Sequence, residues 1–155
     1  MKVYLGTDHA GFKLKEEIKN FLKVEGHQVF DEGAFELVPG DDYPDFIDIV
    51  AKMVASDPDN NFGIIFGASG QGEAMCANRF KHIRAAVYYG GADEIVKLSR
   101  EHNNANILSL GAKFLDPDMA KRSVKLWLET KFSGDDRHIR RNAKLDYKTE
   151  IEHEF

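Results

Sequence analysis

Residues Phe62 to Arg79 read FGIIFGASGQGEAMCANR. The stretch opens with a short apolar run, Phe62 to Phe66, of strand length. It passes through Gly67, Ala68, Ser69, Gly70, Gln71 and Gly72, and enters a helical pattern near Glu73. A strand, a small-residue turn and a helix start make one βα unit. Backbone N–H groups at a helix start have no intrahelical partner, so such a turn can hold an anion or a developing oxyanion. Gly67, Gly70 and Gly72 permit positive φ and a close approach to the backbone. Glu73 is the one ionisable side chain there. A tight βα turn with a helix-favouring acid in its first turn accounts for the same residues equally well. The glycines fall as G-x-x-G-x-G and no Lys-Ser/Thr follows them, so a nucleotide-binding loop is weakly supported.

Outward from this unit the chain repeats its logic. Val3 to Gly6 reads as a strand, and a helix with Phe12, Leu14, Ile18, Phe21 and Leu22 at helical spacing follows, stopped by Gly26. His27 to Phe30 reads as a second strand and Ala34 to Asp42 as a loop. Tyr43-Pro44-Asp45 opens a helix whose apolar positions are Phe46, Ile49, Val50, Met53 and Val54. Ile83 to Tyr88 is a fourth strand, Ala92 to Glu101 a helix with Ile95 and Leu98 inward, and Asn106 to Leu110 a fifth strand. Asp116-Pro117 caps a helix carrying Met119, Val124, Leu126, Trp127 and Leu128, and Asp135 to Glu152 reads as a last, charged helix. Five apolar strands alternating with helices predict a parallel sheet covered on both faces, in one domain spanning residues 1–155. Sites in such sheets lie beyond the carboxyl ends of the strands. Asp8 and His9 follow strand one, Ser69 to Glu73 follow strand three, and Lys113 follows strand five. His102 and Asn103 instead precede strand five at a helix end, so the pattern does not assign them to the same mouth.

The chain has 155 residues, is 43% hydrophobic and carries a net charge of −5, enough apolar content for a core and no long basic tract for nucleic acid. Its single cysteine, Cys76, rules out an internal disulfide and reads as a small buried residue. No apolar run approaches the roughly 18 residues of a membrane span and the N-terminus is too short in apolar residues for a signal peptide, so a cytoplasmic chain is expected. His27, His82 and His153 read as surface residues, while His9, His102 and His138 sit beside other polar groups. No HxH, HExxH or CxxC spacing occurs, so no metal site is expected. Arg137 and Arg141 share a helix face and two such forks suit a phosphate, although a solvated charged face is the more usual reason for such a cluster. Ile139, Leu145, Tyr147 and Ile151 give this helix apolar surface that fits a second subunit.

Five blocks, VYLGTDHAGFKLK (Val3 to Lys15), DDYPDF (Asp41 to Phe46), GASGQGEAMCANRF (Gly67 to Phe80), SREHNNAN (Ser99 to Asn106) and RHIRR (Arg137 to Arg141), together resemble the ribose-5-phosphate isomerase B family, which also includes galactose-6-phosphate isomerase subunits. The resemblance implies a flavodoxin-like three-layer α/β/α sandwich and a homodimer or tetramer whose sites lie between subunits, with the last helix reaching the partner. It implies interconversion of ribose 5-phosphate and ribulose 5-phosphate through an enediolate, with no cofactor and no metal. Some members use a cysteine base at the position held here by Gly67. Another branch uses a glutamate directly after the glycine loop, which is Glu73 here. His102 is then the ring-opening acid, assisted by Asp8, while Ala68, Ser69, Gly70, Gln71 and Gly72 cradle the enediolate. His9, Asn103 and His138 position hydroxyls or phosphate, and Arg137 and Arg141 hold phosphate. Lys113 stands where the family has a third arginine and keeps the charge without the fork. A six-carbon substrate such as galactose 6-phosphate or allose 6-phosphate, a non-catalytic sugar-phosphate-binding protein, and a flavodoxin-like nucleotide module are the alternatives.

Overall fold

Strand β1 (Lys2–Thr7) is buried along all but its first residue, because both faces of the sheet are covered. Val3 and Leu5 enter one apolar layer and Tyr4 the other, the period-two alternation of a strand. β3 (Asn61–Gly67) behaves likewise, with Ile64 and Phe66 on one side and Ile65 on the other. The computed structural model describes residues 1–151, with side chains through residue 147. His153, Glu152 and the side chain of Ile151 lie outside that description.

β1 pairs in parallel with β2 (Gln28–Asp31) on one side and with β3 on the other, and β3 pairs with β5 (Ile107–Gly111), beyond which β4 (Ala85–Tyr88) forms the edge. The order is 2-1-3-5-4, so the last two strands are exchanged relative to the simple 2-1-3-4-5 arrangement of flavodoxin-like sheets. β5 is therefore interior and fully buried, while β4 is half-buried. Local periodicity carries no information on this exchange, because both strands are short apolar runs.

Helices α1 (Phe12–Val24), α4 (Asp93–Glu101) and α5 (Pro117–Glu129) cover one face around Leu14, Ile18, Val96, Val124 and Trp127. Helices α2 (Pro44–Ala55) and α3 (Gln71–Ala77) cover the other, with Ile47, Val50, Ala51, Val54 and Ala77 inward. One expectation is corrected here: Ile95 is not inward but 49% exposed, while its neighbour Val96 is buried. Of the apolar positions of α2, Ile49 and Met53 are 41% and 37% exposed. α2 is apolar around much of its circumference, so spacing alone does not say which stripe meets the sheet.

The last helix, α6 (Asp136–Ile151), rests on its own chain through one stripe. His138 and Asn142 are buried, and Asp146, one further turn along, approaches Arg84 at 3.4 Å and His82 at 3.9 Å. Arg137, Arg140, Arg141, Ile139 and Tyr147 are exposed.

Candidate active site

The carboxyl ends of β1, β3 and β5 bring together Asp8 and His9, the turn from Ala68 to Glu73, and Lys113. The turn is shaped by Gly70, whose φ of 78° is left-handed, and whose carbonyl accepts a 2.6 Å hydrogen bond from Ser109. A Cβ at Gly70 would press on the β5 backbone at 3.0 Å. The turn after β5 is tied to it, since Ala112 N–H donates to the Gly67 carbonyl and Lys113 N–H to the Ala68 carbonyl, at 2.8 and 3.0 Å.

Glu73, in the first turn of α3, is 4% exposed. Burial pushes its carboxyl above the usual carboxylate range. Its own backbone N–H pulls the other way, and the nearby Asp8 charge adds to the rise. Its carboxylate occupies the space that a side chain at position 67 would fill, because an added Cβ on Gly67 would overlap all three carboxyl atoms. A side chain at 67 and this placement of Glu73 exclude each other. Cys76 does not compete for the chemistry. Burial and the carboxylate of Asp48, which accepts from Sγ at 3.1 Å, push its thiol up to about 12.

Two residues with no role assigned from sequence enter the mouth. Asp41 Oδ1 accepts from the backbone N–H of His9 at 2.8 Å and lies 2.7 Å from His9 Nδ1, which raises the pKa of His9. Tyr43 brings its hydroxyl over Gly72, 2.8 Å from where a Cβ would stand. Both belong to the DDYPDF block, which was a signal without a function attached. The loop leading to Asp41 is anchored at its start by Lys15, fully buried, which donates to the Ala34 carbonyl at 2.8 Å and to Asp31 at 2.6 Å. Asp8, His9 and Asp41 each offer one metal-ligating atom, all within 4.8 Å of one another, a grouping hidden from motif spacing because Asp41 lies far along the chain.

His102, Asn103, His138, Arg137 and Arg141 are not part of this mouth in the single chain. His102 caps the carboxyl end of α4, before the amino end of β5. The β3–β5 register runs from Gly63 opposite Ile107 to Gly67 opposite Gly111, so the strand body separates the two groups by roughly 13 Å at about 3.3 Å per residue. At that far end the His102 and His138 rings stack with centroids 4.3 Å apart. Two cavities, of about 540 and 420 Å3, run along the open edge of β4, the first reaching Gln71 and the second Asn103.

A buried carboxylate of raised proton affinity, fixed by a glycine turn at the carboxyl edge of a parallel sheet, suits an α/β isomerase that moves a proton between neighbouring carbons. Residues 3–145 match the model of the Ribose/Galactose Isomerase family, and the chain belongs to that family. It is 41% identical over 141 residues to a ribose-5-phosphate isomerase B of Mycolicibacterium paratuberculosis, covering 91% of this chain and 87% of the relative. Its structure resembles that of ribose-5-phosphate isomerase B from Mycoplasma genitalium with bound ribulose-5-phosphate, at a TM-score of 0.92 and 33% identity over 96% of each chain. The Clostridium thermocellum ribose-5-phosphate isomerase B matches at a TM-score of 0.89 and 41% identity over 99% of each chain. Among the described residues no helix is long and apolar enough to cross a membrane.

Proposed function

We propose that this chain interconverts ribose 5-phosphate and ribulose 5-phosphate, with Glu73 as the base. The observation that carries the reading is the carboxylate of Glu73, buried and lodged in the space left by Gly67, in a chain whose relatives are named for this reaction. Glu73 takes the proton from C2 of the opened aldose, and the carbonyl oxygen becomes part of an enediolate. The C2 hydroxyl proton passes to O1, and the Glu73 carboxyl returns its proton to C1. The raised proton affinity of Glu73 suits a group that must both take and give back a proton near neutral pH. Backbone N–H groups of the turn from Ala68 to Gly72 stabilise the enediolate oxygens, so the step needs no metal.

His102 opens the sugar ring, with Asp8 assisting, and Asn103, Arg137 and Arg141 bind hydroxyls and phosphate. These residues reach the Glu73 mouth from a second copy of the chain. Two observations support that reading. The two groups lie at opposite ends of one sheet, and a groove runs between those ends along β4. A two-fold axis across the groove, perpendicular to the strands, sets the far end of one chain against the near end of the other. Asn78 already covers the outer edge of β4 at Ala85, donating to its carbonyl at 3.0 Å and accepting from its N–H at 2.8 Å. That edge is thereby shaped for side-chain contact rather than strand addition.

The test is a panel of pentose and hexose phosphates assayed for aldose–ketose conversion. Ribose 5-phosphate should show the highest kcat/KM, and Glu73→Gln should lower kcat by roughly 10²-fold or more. A preference for galactose 6-phosphate or allose 6-phosphate would move the substrate to six carbons. Near-wild-type turnover by Glu73→Gln would remove the base assignment.

A further inference from the structure

His138 lies among arginines expected to touch phosphate, yet its surroundings are those of a packed ring. It is 6% exposed, and its plane lies within 15° of the His102 plane at a centroid distance of 4.3 Å. Its Nε2 is buried with no hydrogen-bond partner among the described residues, so the ring face, and not that nitrogen, makes the contact. The helix carrying it is pinned beside His102, because the Asn142 side chain donates to the His102 carbonyl at 3.3 Å. His102 is held from below by its own backbone N–H, which donates to the Leu98 carbonyl at 3.0 Å, and its side chain stays half-exposed.

We propose that His138 is a positioning residue for the ring-opening histidine: its flat ring fixes the plane of the His102 imidazole and turns the edge of that imidazole toward the sugar. The inference rests on the reading that His102 opens the ring. The charged surroundings agree with it. Burial, then the neighbouring His102 and Arg137, push the proton affinity of His138 down; Asp135 pulls the other way, and Arg141 adds a last small push down.

The experiment compares two readouts in the full-length protein. One is turnover of ribose 5-phosphate, which is mostly cyclic and must be opened. The other is wash-in of solvent deuterium at C1 of ribulose 5-phosphate. That ketose has its O5 phosphorylated and cannot close a five-membered ring, so exchange reports on Glu73 without ring opening. His138→Ala should lower kcat on ribose 5-phosphate by about 10- to 100-fold, the cost of a misplaced catalytic group. KM and deuterium exchange should change little. His138→Phe, which keeps a flat ring and no nitrogen, should recover most of the loss. Should His138→Ala fail to fold, His138→Leu fills the volume without a flat ring and carries the same expectation as the alanine variant. The proposal is overturned if the phenylalanine variant is as impaired as alanine or leucine, if KM rises in all variants, or if exchange falls in step with turnover. His102→Asn tests the underlying reading separately. It should lose ribose 5-phosphate turnover and keep exchange, and equal loss of both would remove His102 as the ring opener whatever the His138 variants do.

Discussion

Glu73 holds its proton more tightly in the folded chain than in the unfolded one, and this has a consequence for stability. Between the ordinary value near 4.5 and the higher folded value, the folded state binds more protons than the unfolded state. Stability therefore falls as pH rises through that window. Glu73→Gln removes the effect, so its Tm should exceed that of the wild type above the window. The difference should fade as pH drops below 4.5, and a Tm gap independent of pH in thermal melts would contradict the cause assigned to the shift. Gly67→Ala should act on the same carboxylate from the other side. Its methyl group overlaps the Glu73 carboxyl, so kcat should drop by about 10-fold or more while far-UV circular dichroism is unchanged, since a displacement near 1 Å is costly to a catalytic group. Unchanged kcat would mean that the carboxylate works from another position. Glu73 was legible from its place after the glycine turn. Asp41 was not, because its bond to His9 spans 32 positions and the DDYPDF block marks the stretch without giving it a role.

At the scale of elements, the strands were legible and some of the helix faces were not. Every strand was foreseen within about two residues at each end, because continuous apolar runs bounded by glycine or polar turns have few other readings. Ile95, read as inward, lies outward, and in α2 the apolar Ile49 and Met53 also occupy the outward face, which spacing alone does not separate from the inward one. Such residues on an exposed surface are what a subunit contact would use. α6 shows both sides of the problem. Its apolar residues Ile139, Leu145, Tyr147 and Ile151 point to a second subunit, while His138 and Asn142 are buried against its own chain. Arg137 and Arg141 stand exposed on the other side, as a phosphate-binding pair requires. Arg137→Ala and Arg141→Ala should chiefly raise KM for ribose 5-phosphate, with smaller changes in kcat, because phosphate is held in ground and transition states alike. Steady-state kinetics that show kcat falling at constant KM would point to a role in the chemical step instead.

For the whole molecule, the parallel sheet sets the arrangement. Its carboxyl edge carries Glu73 and the glycine turn, and its amino edge carries His102 with its stacked His138, roughly 13 Å of strand away. The exchange of β4 and β5 places a short, half-buried strand at the rim, with grooves beside it that lead from one edge to the other. The place of His102 just before strand five already sets it apart from the residues that follow strands one, three and five, whereas the packing of α6 that brings His138 beside it is a tertiary contact no local pattern marks. Under the proposed function, each working site therefore takes residues from two chains. The most direct test mixes Glu73→Gln with His102→Asn, each inactive on ribose 5-phosphate alone, under conditions where subunit exchange is verified by mass spectrometry. In a mixed dimer one site carries both defects and the other carries neither. After full exchange of equal amounts, half the dimers are mixed, so activity should return to roughly a quarter of the wild-type level. No recovery after verified exchange would place Glu73 and His102 in one chain's site and contradict the account.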